Sequence, residues 1–142
     1  MSLKTRFGNL GNILDFDNLT EENIYVLDSP ILTNSQFKKF KKFFSKKTKV
    51  IDCTFDISLS LKDRIEEIRE EAETSVREGS TCLILSDKNI TNQKASIPSI
   101  LTVGAVHSHL VKQGLRGYCS LNVECSDALD THSFAVLIGV GA

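Results

Sequence analysis

The sequence predicts an α/β fold in which strands and helices alternate around a parallel sheet. Three observations support this prediction. Thr81–Leu85 (TCLIL) is a short apolar run, typical of a strand that is buried on both faces of a parallel sheet. An amphipathic helical segment precedes it and a second one follows. Three strand-then-helix pairs can be traced along the chain, and such alternation predicts parallel strands joined by right-handed crossovers.

The first part of the chain shows no steady period. Residues 4–24 are polar, with two glycines and repeated Asn and Asp, which indicates a loop or arm. We therefore expect a polar arm over residues 1–24 and one α/β domain over residues 25–142. A helix should begin near Thr33 or Asn34, since Thr33 and Gln36 match a capping box. Its apolar stripe comprises Phe37, Phe40 and Phe44.

The middle of the chain gives the clearest elements. Val50–Phe55 (VIDCTF) is short, rich in β-branched residues and bounded by polar runs, which predicts a strand. Leu61–Glu78 places apolar residues at helical spacing. Ser60 and Asp63 should cap its start, Glu73 and Arg77 should pair at i,i+4, and Gly79 should end it.

The last third predicts a helix, a strand and a final helix. Pro98 suits a first helical position, and the apolar face that follows continues to Gly114. Tyr118–Val123 should be a strand. The final helix should run from Ala128 or Thr131 to Ile138 and should be buried, because it is apolar nearly all round. Its glycine-rich end would normally lead into another strand, so we expect a domain truncated at its C-terminus.

Composition excludes several classes of protein. The 142 residues are 41% hydrophobic and 25% charged, with a formal net charge of −1, which is typical of a globular domain and argues against general binding of nucleic acid or anionic membranes. No apolar run approaches the roughly 20 residues of a membrane span. The N-terminus lacks a secretory signal, so the four cysteines suggest reduced thiols and a cytoplasmic location.

Candidate site residues lie where strands end, because parallel α/β folds form their sites at the carboxyl ends of strands. Asp87 and Glu124 could meet there as paired carboxylates. His132, at the start of the last helix, could donate to one of them. These three are the acid/base candidates of an independent β/α enzyme. The alternative is structural: such residues commonly cap the following helix or bind a lysine.

No metal or cofactor site follows from the remaining residues. His107 and His109 stand two apart on a helix and should point about 200° apart, so they cannot share one metal. We expect one to be half-buried and the other solvated. Cys119 and Cys125 would lie about 20 Å apart along a strand. The GVG at Gly139–Gly141 follows a helix rather than a strand, unlike a dinucleotide-binding turn.

A lysine-rich helix leaves a third possibility, a binding module. Seven lysines lie between Lys38 and Lys49. The phenylalanines among them fall on the core stripe and are not interleaved as stacking platforms, and a Glu-rich helix follows to balance the charge. The pattern therefore argues against nucleic acid.

Three stretches resemble the central domain of the large subunit of glutamate synthase. They are Leu27–Leu32 (LDSPIL), the pair LILSD and IPSILTVGAVHSHL, and Thr131–Ala142 (THSFAVLIGVGA). The chain differs from the residues usual in the family at Lys88, Ser108, Ser133 and Val140. None of these is a catalytic residue.

The resemblance implies a segment of a modified, TIM-like (β/α) barrel within an enzyme that converts glutamine and 2-oxoglutarate into two glutamates. In that family, an amidotransferase domain and an FMN-binding domain with an iron–sulfur cluster lie elsewhere in the same polypeptide. The segment would then hold no cofactor and be inactive alone, serving as scaffold and as part of the wall of the ammonia passage. The electron donor stays open, and the isolated segment could form homo-oligomers through faces normally covered.

Overall fold

A computed structural model describes residues 4–7 and 24–142. The chain divides into two compact units, Met1–Lys46 and Lys47–Ala142. Most of the predicted polar arm lies outside the described residues. Of the residues expected in this arm, Thr5–Phe7 forms a strand rather than a loop. This strand was not predicted because three residues are too few to show a period.

The first unit is a strand pair and a helix. Strand β1 (Thr5–Phe7) pairs antiparallel with β2 (Tyr25–Leu27). Helix α1 spans Asn34–Phe43, and its predicted capping box is confirmed: Gln36 donates its backbone N–H to Thr33 Oγ1 at 3.4 Å, and Gln36 Oε1 accepts from Thr33 N–H at 2.9 Å. The phenylalanine stripe packs as expected. Phe40 is fully buried at the centre of an aromatic cluster with Phe7, Tyr25, Phe37 and Phe44.

The second unit contains the predicted parallel sheet. Its elements in chain order are β3 (Thr48–Asp52), β4 (Thr54–Asp56), α2 (Leu61–Arg77), β5 (Cys82–Ser86), β6 (Lys94–Ser96), α3 (Ser99–Lys112), β7 (Ser120–Glu124) and α4 (Thr131–Val140). Strands β3, β5 and β7 are parallel and adjacent in that order. The α/β class with alternating units is therefore confirmed, as an open three-stranded sheet in this part of the chain.

One predicted strand proves to be two. Val50–Phe55 is divided at Cys53, where the backbone changes partner: Cys53 N–H donates to Ser86 O at 2.8 Å, and Ile97 N–H donates to Cys53 O at 3.0 Å. Before this point β3 pairs with β5, and after it β4 pairs antiparallel with β6. Strand β6 could not be predicted, because Lys-Ala-Ser is too short to show an alternating pattern.

The two helices next to the sheet match their predictions closely. Ser60 Oγ accepts from Asp63 N–H at 3.4 Å at the start of α2, and Gly79 follows its end with φ +97°. Arg77 pairs with Glu73 at 2.8 Å. Pro98 is the residue before α3 rather than its first, with an extended ψ of 128°.

The two faces of the sheet differ in composition. One face, here called the helix-covered face, buries Ile51, Leu83, Leu85 and Leu121 against apolar residues of α2 and α3. Successive strand residues alternate between faces, so the opposite face carries the other set. It consists of three rows in register: Thr48, Cys82 and Ser120; Val50, Ile84 and Asn122; and Asp52, Ser86 and Glu124.

The final helix is less buried than its composition predicts. In α4 only Leu137 is buried, and Ile138 is 46% exposed. The prediction of a helix buried all round was wrong because α4 packs chiefly against α3, and a helix with one principal neighbour covers one side. Among the described residues, no helix is both long and apolar enough to cross a bilayer.

Candidate functional site

The carboxyl ends of the three parallel strands form a polar cluster centred on Glu124. Ser86 Oγ donates to Glu124 Oε2 at 3.3 Å, and Lys88 forms an ion pair with Glu124 Oε1. Lys88 N–H donates to Ser86 Oγ at 3.4 Å and completes a ring of contacts. Glu124 is thus held by a lysine, as the structural alternative predicts.

Asp87 is buried beside this cluster but is bound to other groups. Its Oδ2 accepts from Ser126 N–H at 2.7 Å and from Ser126 Oγ at 2.6 Å, and its own N–H donates to Glu124 O at 3.2 Å. The carboxylate therefore joins the loop after β5 to the loop after β7. Its role is accounted for by these contacts. A catalytic role for Asp87 and Glu124 stays a prediction.

The third candidate, His132, lies exposed in the first turn of α4. The cap of this helix is Asp130, whose Oδ1 accepts from Ser133 N–H at 2.7 Å and from Ser133 Oγ at 2.6 Å. These bonds hold the pKa of Asp130 below its usual range. An acid/base role for His132 likewise stays a prediction.

Two further carboxylates lie at this edge besides the acid/base candidates; Asp127 was expected among the polar groups at the strand ends, and Asp52 was not. Asp127 Oδ2 accepts from Ser99 N–H at 2.8 Å and caps the start of α3, where Pro98 offers no side-chain cap. Asp52 accepts from Thr54 N–H at 3.0 Å and from Asn89 Nδ2 at 3.0 Å. Burial by itself raises the pKa of both carboxyls, but these hydrogen bonds outweigh it, so both pKa values are lowered.

The histidines of α3 point to different neighbours, as their spacing predicts. His109 Nε2 lies 2.7 Å from Glu73 Oε2 on α2, while His107 Nδ1 accepts from Arg116 Nε at 3.1 Å. An acceptor Nδ1 places the ring proton of His107 on Nε2. Both rings are half-buried. The expectation that one would be solvated was wrong, because α3 has a neighbour on each side.

Arg116 is a highly connected side chain that the sequence did not reveal. Besides His107, it donates to Cys119 O at 2.7 Å and to Gly141 O at 2.8 Å. It therefore joins α3, the start of β7 and the end of α4. Gly141 has φ +121°, and a Cβ there would overlap the His107 ring. The one available signal was a lone arginine between apolar residues and glycines.

The cysteines do not assemble into a ligand set. Cys119 and Cys125 flank β7 at its two ends, and Cys53 and Cys82 are buried in the sheet region. Burial raises the pKa of all four thiols, that of Cys53 to about 12. Over residues 4–7 and 24–142 no three His, Cys, Asp or Glu side chains are grouped to hold a metal.

Comparison with known proteins identifies the family. The family model for the glutamate synthase central domain matches residues 1–142. The chain belongs to the glutamate synthase central domain family. The resemblance found in the sequence motifs is therefore confirmed.

Relatives from different lineages match this central domain over all or most of its length. The chain is 48% identical to the NADPH glutamate synthase large chain of Azospirillum brasilense and 36% identical to the chloroplastic ferredoxin-dependent glutamate synthase of Spinacia oleracea, each over 100% of this chain. It is 39% identical to the NADPH large chain of Bacillus subtilis over 82% of this chain. The chain spans only 10%, 9% and 8% of the length of the Azospirillum, Spinacia and Bacillus proteins, respectively.

Proposed function

We propose that this central domain serves a glutamate synthase large subunit as scaffold and as part of the wall of its ammonia passage. The parent reaction would form two L-glutamates from glutamine and 2-oxoglutarate. Ammonia released from glutamine in an amidotransferase domain would travel to an FMN domain of the same polypeptide. FMN and the iron–sulfur cluster would belong to that other domain, and in their reduced state they would supply the electrons. The free thiols fit a reducing compartment such as the cytoplasm.

The observation that supports a wall is the chemistry of the opposite face of the sheet. Ammonia is a neutral hydrogen-bonding molecule, so a wall suited to it presents neutral polar groups and keeps carboxylates from binding it as ammonium. The middle row contains Val50, Ile84 and Asn122, none of which is charged. The two carboxylates of this face, Asp52 and Glu124, lie in the row at the carboxyl end, where Asn89 Nδ2 donates to Asp52 and Lys88 neutralises Glu124.

Asn122 is the residue of this face best placed to contact a small polar molecule. It is only partly buried, and its Nδ2 lies 3.2 Å from Leu83 O and 3.2 Å from Ser120 Oγ. These contacts fix the amide and direct its N–H groups at the protein. The carbonyl oxygen of the same amide is an acceptor that suits an N–H of ammonia.

The test measures coupling in the full-length polypeptide that contains this segment. Asn122→Leu should leave glutamine hydrolysis in place but lower the amount of glutamate formed from 2-oxoglutarate per glutamine hydrolysed. The missing ammonia should appear in solution. Ser108→Ala, on the exposed side of α3, should leave the ratio unchanged.

Two results would count against the wall. If Asn122→Leu keeps full coupling while folding normally, the opposite face does not line the passage, and the scaffold role alone stands. If the variant loses glutamine hydrolysis as well, the change acts through general misfolding, and the more conservative Asn122→Ser must then reproduce the uncoupling for the proposal to survive.

A further inference from the structure

The strongest unexplained feature is a basic surface on α1. From Ser29 to Ile51 the chain has seven lysines and no Asp, Glu or Arg. Lys38, Lys39, Lys42 and Lys46 are all exposed, and we call these four the lysine surface. The opposite side of the helix is occupied by the buried Phe40 and its aromatic neighbours. Lys38, Lys39 and Lys42 are therefore held together on one outward side of α1, and Lys46 lies in the short 3₁₀ turn Ser45–Lys47 that follows it.

Stability of the helix does not explain this arrangement. Cations near a helix C-terminus are favourable, which accounts for Lys42 in the last turn. Lys38 and Lys39 lie in the middle of the helix, outside the last turn where the dipole favours a cation. Lys38 and Lys42 are four residues apart and Lys39 and Lys42 three apart, spacings at which like charges destabilise a helix.

Neighbouring carboxylates do not neutralise the surface either. Asp28 is the one carboxylate described in the first unit, and it lies 4.0 Å from Lys4. Among the carboxylates of α2, the Glu-rich helix that we expected to balance the lysines, Glu66 is paired with Arg69 and Glu67 with Arg64. Only Lys49, outside the lysine surface, reaches one of them, Glu71 at 3.0 Å. Within the described residues, the four charges thus have no carboxylate partner.

An aromatic side chain lies within the surface and favours a protein partner over nucleic acid. Phe43 is 48% exposed and shares a helix side with Lys39, four residues before it. A half-exposed aromatic bordered by charges matches the anchor and rim of a protein interface. Nucleic-acid sites prefer Arg and free stacking rings. Here Arg is absent, and Phe43 is already in contact with Tyr25 and Phe44 at centroid distances of 5.1 and 4.9 Å.

We infer that the lysine surface docks a separate protein that presents clustered carboxylates around an apolar contact for Phe43. Long-range attraction between the two charged surfaces would speed encounter and weaken with salt. The small apolar content suits a reversible complex rather than a permanent one. This inference does not depend on the ammonia passage, and either can fail without the other.

Two matched triple variants test the inference. Binding of fluorescent poly-L-glutamate to the purified chain is followed by anisotropy over a salt series. Lys38→Gln, Lys39→Gln and Lys42→Gln together should weaken binding by about tenfold or more at low salt, and the effect should shrink as salt screens the charges. The control changes Lys62, Lys94 and Lys112 to Gln, which removes the same charge from other exposed positions, and should change the affinity less than about twofold. Equal losses in the two variants would overturn the assignment to α1.

Two further probes test the class of partner. A peptide with leucine in place of one central glutamate should bind at least as tightly as poly-L-glutamate, although it has one charge fewer, because the leucine can contact Phe43. Weaker binding would contradict that contact. Oligothymidylate of the same charge should bind more weakly than either peptide. If oligothymidylate binds more tightly than the peptides, the inferred partner is a nucleic acid and not a protein.

Discussion

The two faces of the parallel sheet are made by the same three strands yet have different chemistry. On the helix-covered face, Ile51, Leu83 and Leu121 are almost completely buried in one apolar cluster. On the opposite face, Asn122 and Glu124 are partly buried and bound by specific hydrogen bonds. A strand residue changes sides at every step, so one short segment such as β7 supplies both apolar packing and polar contacts.

This difference separates stability from specificity. Packing of the apolar face depends on side-chain volume, so this face tolerates substitution by apolar side chains of similar size. The polar contacts need particular donors and acceptors at particular distances. The glutamate synthase central domain can therefore keep its fold through the helix-covered face, while the opposite face and the strand ends carry whatever chemistry the segment contributes.

The largest effect is expected from opening the apolar face. Leu83→Ala removes a fully buried side chain and should lower the free energy of unfolding by about 2–5 kcal/mol, through lost burial and the cavity left behind. Val50 lies on the neighbouring strand and the opposite face, and its side chain is half-exposed. Val50→Ala should therefore lower the free energy of unfolding by less than about 1 kcal/mol. Urea titration measures both. Similar losses would mean that the two faces contribute equally to stability.

A smaller effect is expected from the polar strand ends. Asp87→Ala removes the oxygen that accepts both hydrogen bonds from Ser126 and should lower the free energy of unfolding by about 2 kcal/mol, since hydrogen bonds to a charged group are worth more than neutral ones. Asp56→Ala, whose bonds to Ser58 are exposed, serves as the control and should change stability far less. If Asp87→Ala lowers the free energy of unfolding more than Leu83→Ala does, the polar strand ends contribute more to stability than the apolar face.

The smallest effect concerns pH. The pKa of Asp127 is lowered in the folded chain, so its contribution is complete above the unfolded pKa of about 4 and is lost as the pH falls through the folded value. Asp127→Asn should cost about 1 kcal/mol at neutral pH and less in acid, and so should flatten the fall in stability below about pH 4. Unfolding curves at several pH values provide the measurement. An unchanged acid slope would show that the carboxylate charge is not what caps α3.

Elements with repeated local signals could be predicted from the sequence. The stripe and cap of α2, the capping box at Thr33 and the apolar strand β5 depend on spacing along a single segment. The candidate carboxylates Asp87 and Glu124 could be found for the same reason, because Asp87 directly follows β5 and Glu124 is the last residue of β7.

Features that depend on partners far away along the chain could not be predicted from the sequence. The change of partner at Cys53 requires Ser86 and Ile97, and the cap of α3 comes from Asp127, 28 residues beyond Ser99. The incomplete burial of α4 also escaped prediction, because composition indicates how apolar a helix is but not how many neighbours it has. Nor does the sequence show that Arg116 reaches the end of α4.

The position of β5 has a consequence for hydrogen exchange. This strand has a hydrogen-bonded neighbour on each edge and is buried at all five positions. Its inner amides cannot reach solvent by fraying at the outer edges of the sheet. Their exchange should therefore require cooperative opening of the whole sheet. In deuterated solvent, Leu83, Ile84 and Leu85 should be among the last amides to lose protection, and their rate would report the global unfolding equilibrium directly.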